Sequence, residues 1–238
     1  MENSAPTKFI EKNQNNNSAV VVFQSLKHRI INWEYLPGER LTEEQICREF
    51  GLSRSPVREA LRMLVENGLM DKEPNRYYKV KDLDLKLLNE LYELRNVIET
   101  YAVSRAVETM PESIWQQLFD FWSLVPDNIP PEGIDLTLED EKFHETIAAS
   151  TKNNTLLQNL HSINERLHFI RMRDYSTPKR LLQTYEQHLA ILKAIKDHAV
   201  SDAREVMHTH IDMAHSNVEA IATQALARAY IIRNSSKD

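Results

Sequence analysis

From position 19 onward apolar residues recur at helical spacing. Val22, Phe23, Leu26, Ile30 and Trp33 follow one another at short steps dominated by threes and fours, which predicts one amphipathic helix ended by the turn formers Pro37-Gly38. Thr42-Glu43-Glu44-Gln45 has the spacing of a capping box, so a second, short helix starts there and ends at Gly51. Ser55 before Pro56 predicts the next helix start, with Ser55 as N-cap and Pro56 at the first helical position. In that helix Val57, Ala60, Leu61 and Leu64 share one side, and Gly68 closes it. Leu69-Met70-Asp71-Lys72 and Tyr77-Tyr78-Lys79-Val80 flank Pro74-Asn75-Arg76, the pattern of a two-stranded wing whose tip residue Asn75 tolerates positive φ. Residues 1–18, with the run Asn13-Gln14-Asn15-Asn16-Asn17-Ser18, have little to bury and are expected to form a disordered arm.

Beyond Asp82 and Asp84 the pattern is helical almost to Arg233. Leu87, Leu91, Leu94, Ile98 and Tyr101 alternate steps of four and three, predicting one long amphipathic helix that stops before Pro111. Trp115, Leu118, Phe119 and Trp122 mark a second helix stopped by Pro126, and a loop with Pro130-Pro131 and Gly133 leads to a third over Thr137 to Ser150. Asn154 is read as the cap of a fourth, Thr177-Pro178 as the start of a fifth, and Ser201 or Asp202 as the start of a long last one. The expected fold is mainly α: an N-terminal winged helix-turn-helix over residues 19–81, then an antiparallel all-α bundle of about six helices over 82–238.

Composition agrees with this reading. A chain of 238 residues with 42% apolar content can build two cores, and only four glycines favour helix over a turn-rich sheet fold. The single cysteine, Cys47, excludes an internal disulfide and reads as core filler. No run reaches the ~20 apolar residues of a membrane span and no secretory signal opens the chain, so a cytoplasmic protein without membrane partners is expected. The net charge of -6 is uneven, at +1 over residues 1–80 and -7 over residues 81–238.

Arg58 and Arg62 lie four apart beside the apolar side of the third helix, with Arg54 just ahead. They form either a solvated face paired with Glu59 and Glu66 or the end of a recognition helix reaching guanine edges and phosphates. Leu36-Pro37-Gly38-Glu39-Arg40-Leu41, the Ser53 to Leu61 stretch and Glu66-Asn67-Gly68-Leu69 resemble the winged-helix domain of the GntR family of bacterial transcription regulators. The resemblance implies that Arg54 and Arg58 contact bases while Ser53, Ser55 and Arg48 hold phosphates. The wing departs from the family pattern, having Asn75, Arg76 and Tyr77 where a glycine is common; Asn75 and Arg76 complete the candidate DNA-binding set.

Asp140 and His144 are four apart, on one face of a helix, and His188 and His210 lie at core-like phases of two others. One carboxylate and three imidazoles suit a divalent ion, zinc first, with nickel, iron or manganese as alternatives. The same residues also read as an acidic partner near a helix start and as hydrogen-bonded core histidines. Asp140-Glu141-Lys142-Phe143-His144, the Glu186 to Ile191 segment and the His210 helix are similar to the FCD domain of FadR-like GntR regulators. That resemblance implies Asp140, His144, His188 and His210 as metal ligands and a small organic acid as effector. Arg95 is either the ion-pair partner of Glu99 or a planar fork for the effector carboxylate, and His161, His168, His198, His208 and His215 read as surface or packing residues.

The expected function is therefore a homodimeric, effector-responsive regulator, more readily a repressor, on a near-palindromic double-stranded operator. Two alternatives stand beside it: a metal-dependent hydrolase-like enzyme with Glu145 as base, and a DNA-binding dimer whose metal is purely structural. Glu145 lies about 100° around the helix from His144, which disfavours it as a base at the metal.

Overall fold

The computed structural model describes residues 5–74, 77–124, 135–175 and 177–235, with side chains from residue 18 onward except 233 and 235. The chain divides into two compact units: residues 1–83 with 224–238, and residues 84–223. The expected loop at Pro130-Pro131 and Gly133 and the wing tip at Asn75 and Arg76 lie outside the described residues.

In the first unit, α1 (Ala5–Ile31), α2 (Glu43–Phe50) and α3 (Arg54–Glu66) build the helical part. α1 begins at Ala5, so helix replaces the disordered backbone expected before position 19. Once a helix is nucleated, each added residue gains a hydrogen bond at small entropic cost, which lets it extend into polar sequence. Val22, Phe23, Leu26, Ile30 and Trp33 are buried as their spacing implies, and α1 packs on α3 through Val57, Ala60, Leu61 and Leu64.

α2 starts with the expected capping box: the Gln45 N–H donates to Thr42 Oγ1 at 3.1 Å and the Thr42 N–H donates to Gln45 Oε1 at 2.8 Å. It ends at Gly51, which at φ 64° takes the left-handed conformation that a Cβ would penalise. The start of α3 differs from expectation. Ser53, not Ser55, is the N-cap, without a side-chain cap bond, and Pro56 is the third helical residue. None of the first-turn N–H groups has an intrahelical partner, so proline costs no hydrogen bond there either.

The wing strands β2 (Met70–Lys72) and β3 (Tyr77–Val80) pair antiparallel, and a strand the pattern did not predict, β1 (Arg40–Thr42), adds to the other side of β3. The sheet order is β1-β3-β2, with Leu41 opposite Tyr78 and Met70 opposite Val80. Three residues show too little alternation to reveal β1, and Arg40-Leu41-Thr42 runs directly into the capping box.

The second unit contains α4 (Leu85–Thr109), α5 (Glu112–Ser123), α6 (Leu136–Ser150), α7 (Asn154–Asp174), α8 (Pro178–Lys196) and most of α9 (Val200–Ser235). Asp84, Asp135, Asn153 and Thr177 cap α4, α6, α7 and α8 with side-chain oxygens, so the α7 cap sits one residue before the expected Asn154. α9 has 36 residues, roughly 54 Å of helix at 1.5 Å per residue, against 12 to 25 for the other helices of the bundle. Its last turns belong to the first unit, where Leu226, Ala229 and Tyr230 line a cleft with Pro37 and Leu83, rather than to the bundle expected over 82–238.

α4 corrects the expected stripe. Its buried face is Leu88, Leu91, Tyr92, Arg95, Glu99, Ala102, Val103 and Ala106, whereas Leu94 and Tyr101 are 46% and 51% exposed. The inward phase is held by an arginine and a glutamate, so counting apolar residues alone finds the wrong side.

Leu26→Ala, which empties a fully buried position between α1 and α3, should destabilise the first unit by roughly 2–5 kcal/mol. Urea denaturation of the full chain measures this; a loss under about 1 kcal/mol would contradict the packing described.

Candidate DNA-reading helix and candidate metal centre

On α3 the buried residues Pro56, Val57, Ala60, Leu61 and Leu64 leave the opposite side to polar groups. Ser53, Arg54, Ser55 and Arg58 are exposed there, and so is Arg48 near the end of α2. Arg62 pairs with Glu59 and Glu66 as a solvated face would. Arg58 behaves differently. Its Nε and Nη2 each donate at 3.1 Å to the two carboxylate oxygens of Glu43, a buried residue in the first turn of α2, while Arg58 itself is 56% exposed. This bidentate clamp fixes the guanidinium at the surface of α3. Glu43 went unassigned in the sequence, where it reads only as the acidic first turn of a capped helix. On the wing, Arg40 and Lys79 are paired with Glu73, Lys79 also with Asp82 and Lys81 with Asp71, so these three cations already face carboxylates.

In the second unit Asp140 and His144 from α6, His188 from α8 and His210 from α9 converge. Each offers a ligand atom, and these atoms lie within 4.8 Å of one another with all four residues buried. His144 Nε2 is 3.1 Å from His210 Nε2, and His188 Nε2 is 3.3 Å from Asp140 Oδ1.

The outer ring nitrogens fix the tautomers. Gln187 Oε1 can only accept, so His210 Nδ1, 2.8 Å away, carries the proton; His144 Nδ1 faces the Glu99 carboxylate and carries one likewise. With both Nδ1 atoms carrying the proton, the two Nε2 atoms 3.1 Å apart are both acceptors. Two imidazole lone pairs at that distance repel unless a cation lies between them, and a partner on the second nitrogen is the usual support of a metal-bound histidine.

His188 adds a second sign. Phe143 stacks on its ring at 3.8 Å and Trp122 meets it edge-on at 4.1 Å, yet neither ring nitrogen makes a hydrogen bond among the described residues. Burial, reinforced by the neighbouring His144, pushes His188 well below its ordinary value, and His210 is depressed by burial and then by His188. The imidazoles are thus neutral, as ligation requires. The donor set fits a divalent ion.

Asp140 is oriented from behind by Arg171 Nη2 and by Tyr175, whose hydroxyl donates to Oδ1 at 2.7 Å. Arg95 is buried, and the ion pair with Glu99 expected of it forms. Its Nε pairs with Glu99, while Nη1 and Nη2 are buried with no hydrogen-bond partner. Burial would raise the Glu99 carboxyl, but Arg95 and then His144 outweigh it and hold it below the usual carboxylate range. Glu145 turns away, accepting from Asn164 at 2.9 Å and contacting His161, so it is not placed as a base at the centre. The five other histidines of this unit hold packing or surface roles, such as His215 stacked on Tyr92 at 4.8 Å.

Gln187, Arg171 and Tyr175 were missed in the sequence, and Glu99 was read there only as the ion-pair partner of Arg95. The available signal was polar residues at core phase: Asn164, Arg171 and Asp174 keep step with Leu160, Ile163, Leu167 and Ile170 on the buried face of α7.

A three-helix unit with a small winged sheet, joined to a helical bundle with a candidate metal centre, is the layout of a DNA-binding transcription regulator. Residues 19–76 match the gntR family of bacterial regulatory proteins and residues 90–213 match the FCD domain. The chain belongs to the GntR family and is a transcription regulator of its FCD-containing type.

Among curated relatives, the Nta operon transcriptional regulator of Aminobacter aminovorans is 29% identical, covering 86% of this chain and 96% of that protein. The gluconate operon transcriptional repressor of Bacillus subtilis is 28% identical, covering 94% and 93%. The solved structure of Lar, which controls the agr system of Listeria monocytogenes, shares the fold at a TM-score of 0.54 and 21% identity, covering 87% of this chain and 96% of that one. Among the described residues no helix is long and apolar enough to cross a membrane.

Arg171→Met leaves Asp140 buried without its guanidinium and should destabilise the metal-free protein by roughly 3–5 kcal/mol. Added zinc should recover part of that loss by supplying the missing positive charge. Thermal denaturation with and without the ion checks this, and an equal loss in both conditions would argue against ligation by Asp140.

Proposed function

We propose that this protein is a homodimeric repressor that releases its operator when a small carboxylate binds beside a divalent metal, zinc first among the candidates, held by Asp140, His144, His188 and His210. The observation that carries the effector reading is the Arg95 guanidinium, buried with two unpartnered nitrogens and linked through Glu99 to His144. An unsatisfied buried donor of this kind is costly, and a carboxylate guest would satisfy it. When bound, the metal supplies a positive charge that attracts and orients such an anion. The chain's own residues do the rest: Arg95 presents its fork, while Arg171 and Tyr175 hold Asp140. A depression of about 290 Å³ between α8 and α9, with Gln187 and His210 in its wall, supports access from this side.

Arg54 and Arg58 would read base edges, and Ser53, Ser55 and Arg48 would hold phosphates, in keeping with their shared exposure. Asn75 and Arg76 remain the wing's candidates for DNA. Pairing of two chains is supported by Leu94, Val97 and Tyr101, which occupy roughly 60° of arc on the outer side of α4 and are 46%, 67% and 51% exposed. Two-fold symmetry would then be mirrored in a near-palindromic operator. α9 carries His210, so a shift at the metal centre would act on a long helix rather than on a loop. Repression rather than activation follows the name of the gluconate relative.

Protein purified without chelator should contain about one metal ion per chain by elemental analysis, and a His144→Ala/His188→Ala variant should contain none. Wild type lacking metal and gaining no thermal stability from zinc, nickel or manganese would overturn the assignment. Arg58→Ala should cost specific operator binding roughly 1–3 kcal/mol while leaving the dimer folded. Unchanged discrimination between operator and random DNA in a gel-shift titration would remove Arg58 from the reading set.

A further inference from the structure

The surroundings of the metal centre hold more unused buried donors than one carboxylate needs. Arg180, Thr184 and His188 follow one another at intervals of four along α8 and are all buried. Arg180 Nε donates to Asp174 Oδ2 at 2.9 Å and Nη1 to Thr184 Oγ1 at 2.8 Å, which leaves Nη2 buried and unpartnered. The Tyr92 hydroxyl, one turn before Arg95 on α4, is in the same state. Its ring is fixed by the stack on His215, and the Arg95 guanidinium lies 5.8 Å from its centroid. The Arg171 and Arg180 guanidinium carbons lie 6.0 and 5.4 Å from the Tyr175 centroid. Tyr92 and Tyr175 each feel Arg95, Arg171, Arg180 and Asp174, so α4, α7 and α8 present these groups to a common interior. Burial also raises the Tyr92 phenol, which therefore keeps its proton and can donate.

Charge points the same way. Arg95, Arg171 and Arg180 each pair with one buried carboxylate, Glu99, Asp140 and Asp174, and the donors left over on Arg95 and Arg180 have no second acceptor among the described residues. Two separate sets of cationic or protonated donors call for an acceptor at each, and a carboxylate is the acceptor that suits a guanidinium fork. We infer that the effector is a dianion, a short dicarboxylate: one carboxylate takes the Arg95 Nη pair beside the metal centre, and the other takes Arg180 Nη2 and the Tyr92 hydroxyl. This rests on the reading of Arg95 as the effector anchor and adds a second anchor, on α8 and the preceding turn of α4.

The test is titration calorimetry with thermal shift on zinc-loaded full-length protein. The dicarboxylates are malonate, succinate, malate and glutarate; the monocarboxylates are propionate, butyrate and lactate; inorganic phosphate is a further arm. The tightest dicarboxylate should bind at least about tenfold better than any monocarboxylate, the effect of one hydrogen bond to a charged group. Tyr92→Phe, which keeps the ring and its stack, and Arg180→Lys, which keeps the charge beside Asp174, should each remove about that factor for the dicarboxylate and leave monocarboxylate affinity unchanged. Monocarboxylates or phosphate binding as well as the dicarboxylates, or both variants retaining full dicarboxylate affinity, would overturn the dianion while leaving a carboxylate effector standing. No binding by any member of the panel would overturn both.

Discussion

Much of the second unit answers one electrostatic problem, the complete burial of the Asp140 carboxylate. An isolated carboxylate in a core is untenable, so the surrounding helices must each deliver something to it. α7 supplies Arg171 and its C-cap residue Tyr175, α8 supplies His188 and α9 supplies His210 opposite His144. Burying two acceptor nitrogens this close together would add a second penalty rather than relieve the first. A cation at their meeting point removes both, which is why the geometry argues for a metal more strongly than the residue types do. The aromatic wall of Trp122 and Phe143 then holds the His188 ring in place without offering it any competing hydrogen bond.

The reading helix shows the same economy in a wetter setting. Arg58 is exposed enough to meet DNA but is not free, because Glu43 grips it bidentately from the adjacent helix. Such a clamp reduces the rotamer entropy lost on binding a base and also offsets part of the gain, since Glu43 must share or release the fork. The glutamate sits in the first turn of α2, where the helix dipole favours a negative charge. One residue thus stabilises a helix start and orients a side chain on the next helix.

Much of the architecture was legible because its signals are local. The capping box at Thr42, the left-handed Gly51 and the apolar phases of α1 and α3 each follow from a few neighbouring residues. The four converging residues were legible for a different reason, the resemblance to a known domain; spacing alone favoured hydrogen-bonded core histidines. Illegible parts were those where tertiary chemistry overrides local pattern. Arg95 and Glu99 occupy the inward phase of α4, so the apolar stripe Leu94, Val97 and Tyr101 points outward. Arg171 and Arg180 look like ordinary surface cations until the buried partners Asp140 and Asp174 are placed. Strand β1 is too short to announce itself, and its pairing exists only because β3 lies alongside.

That inversion of α4 has a consequence for regulation under the proposed function. Arg95 and the stripe Leu94, Val97 and Tyr101 sit on opposite sides of one helix. A guest that draws Arg95 inward acts on the same rigid element that would contact a second chain, without any intervening loop to absorb the displacement. Closely packed cores deform little, so such an element moves as a body or not at all. The shift in DNA affinity is then bounded by how much better the guest binds one position of α4 than the other. A guest anchored at two ends senses that position more sharply than one held at Arg95 alone, because both anchors, on α4 and α8, must be in register for it to bind.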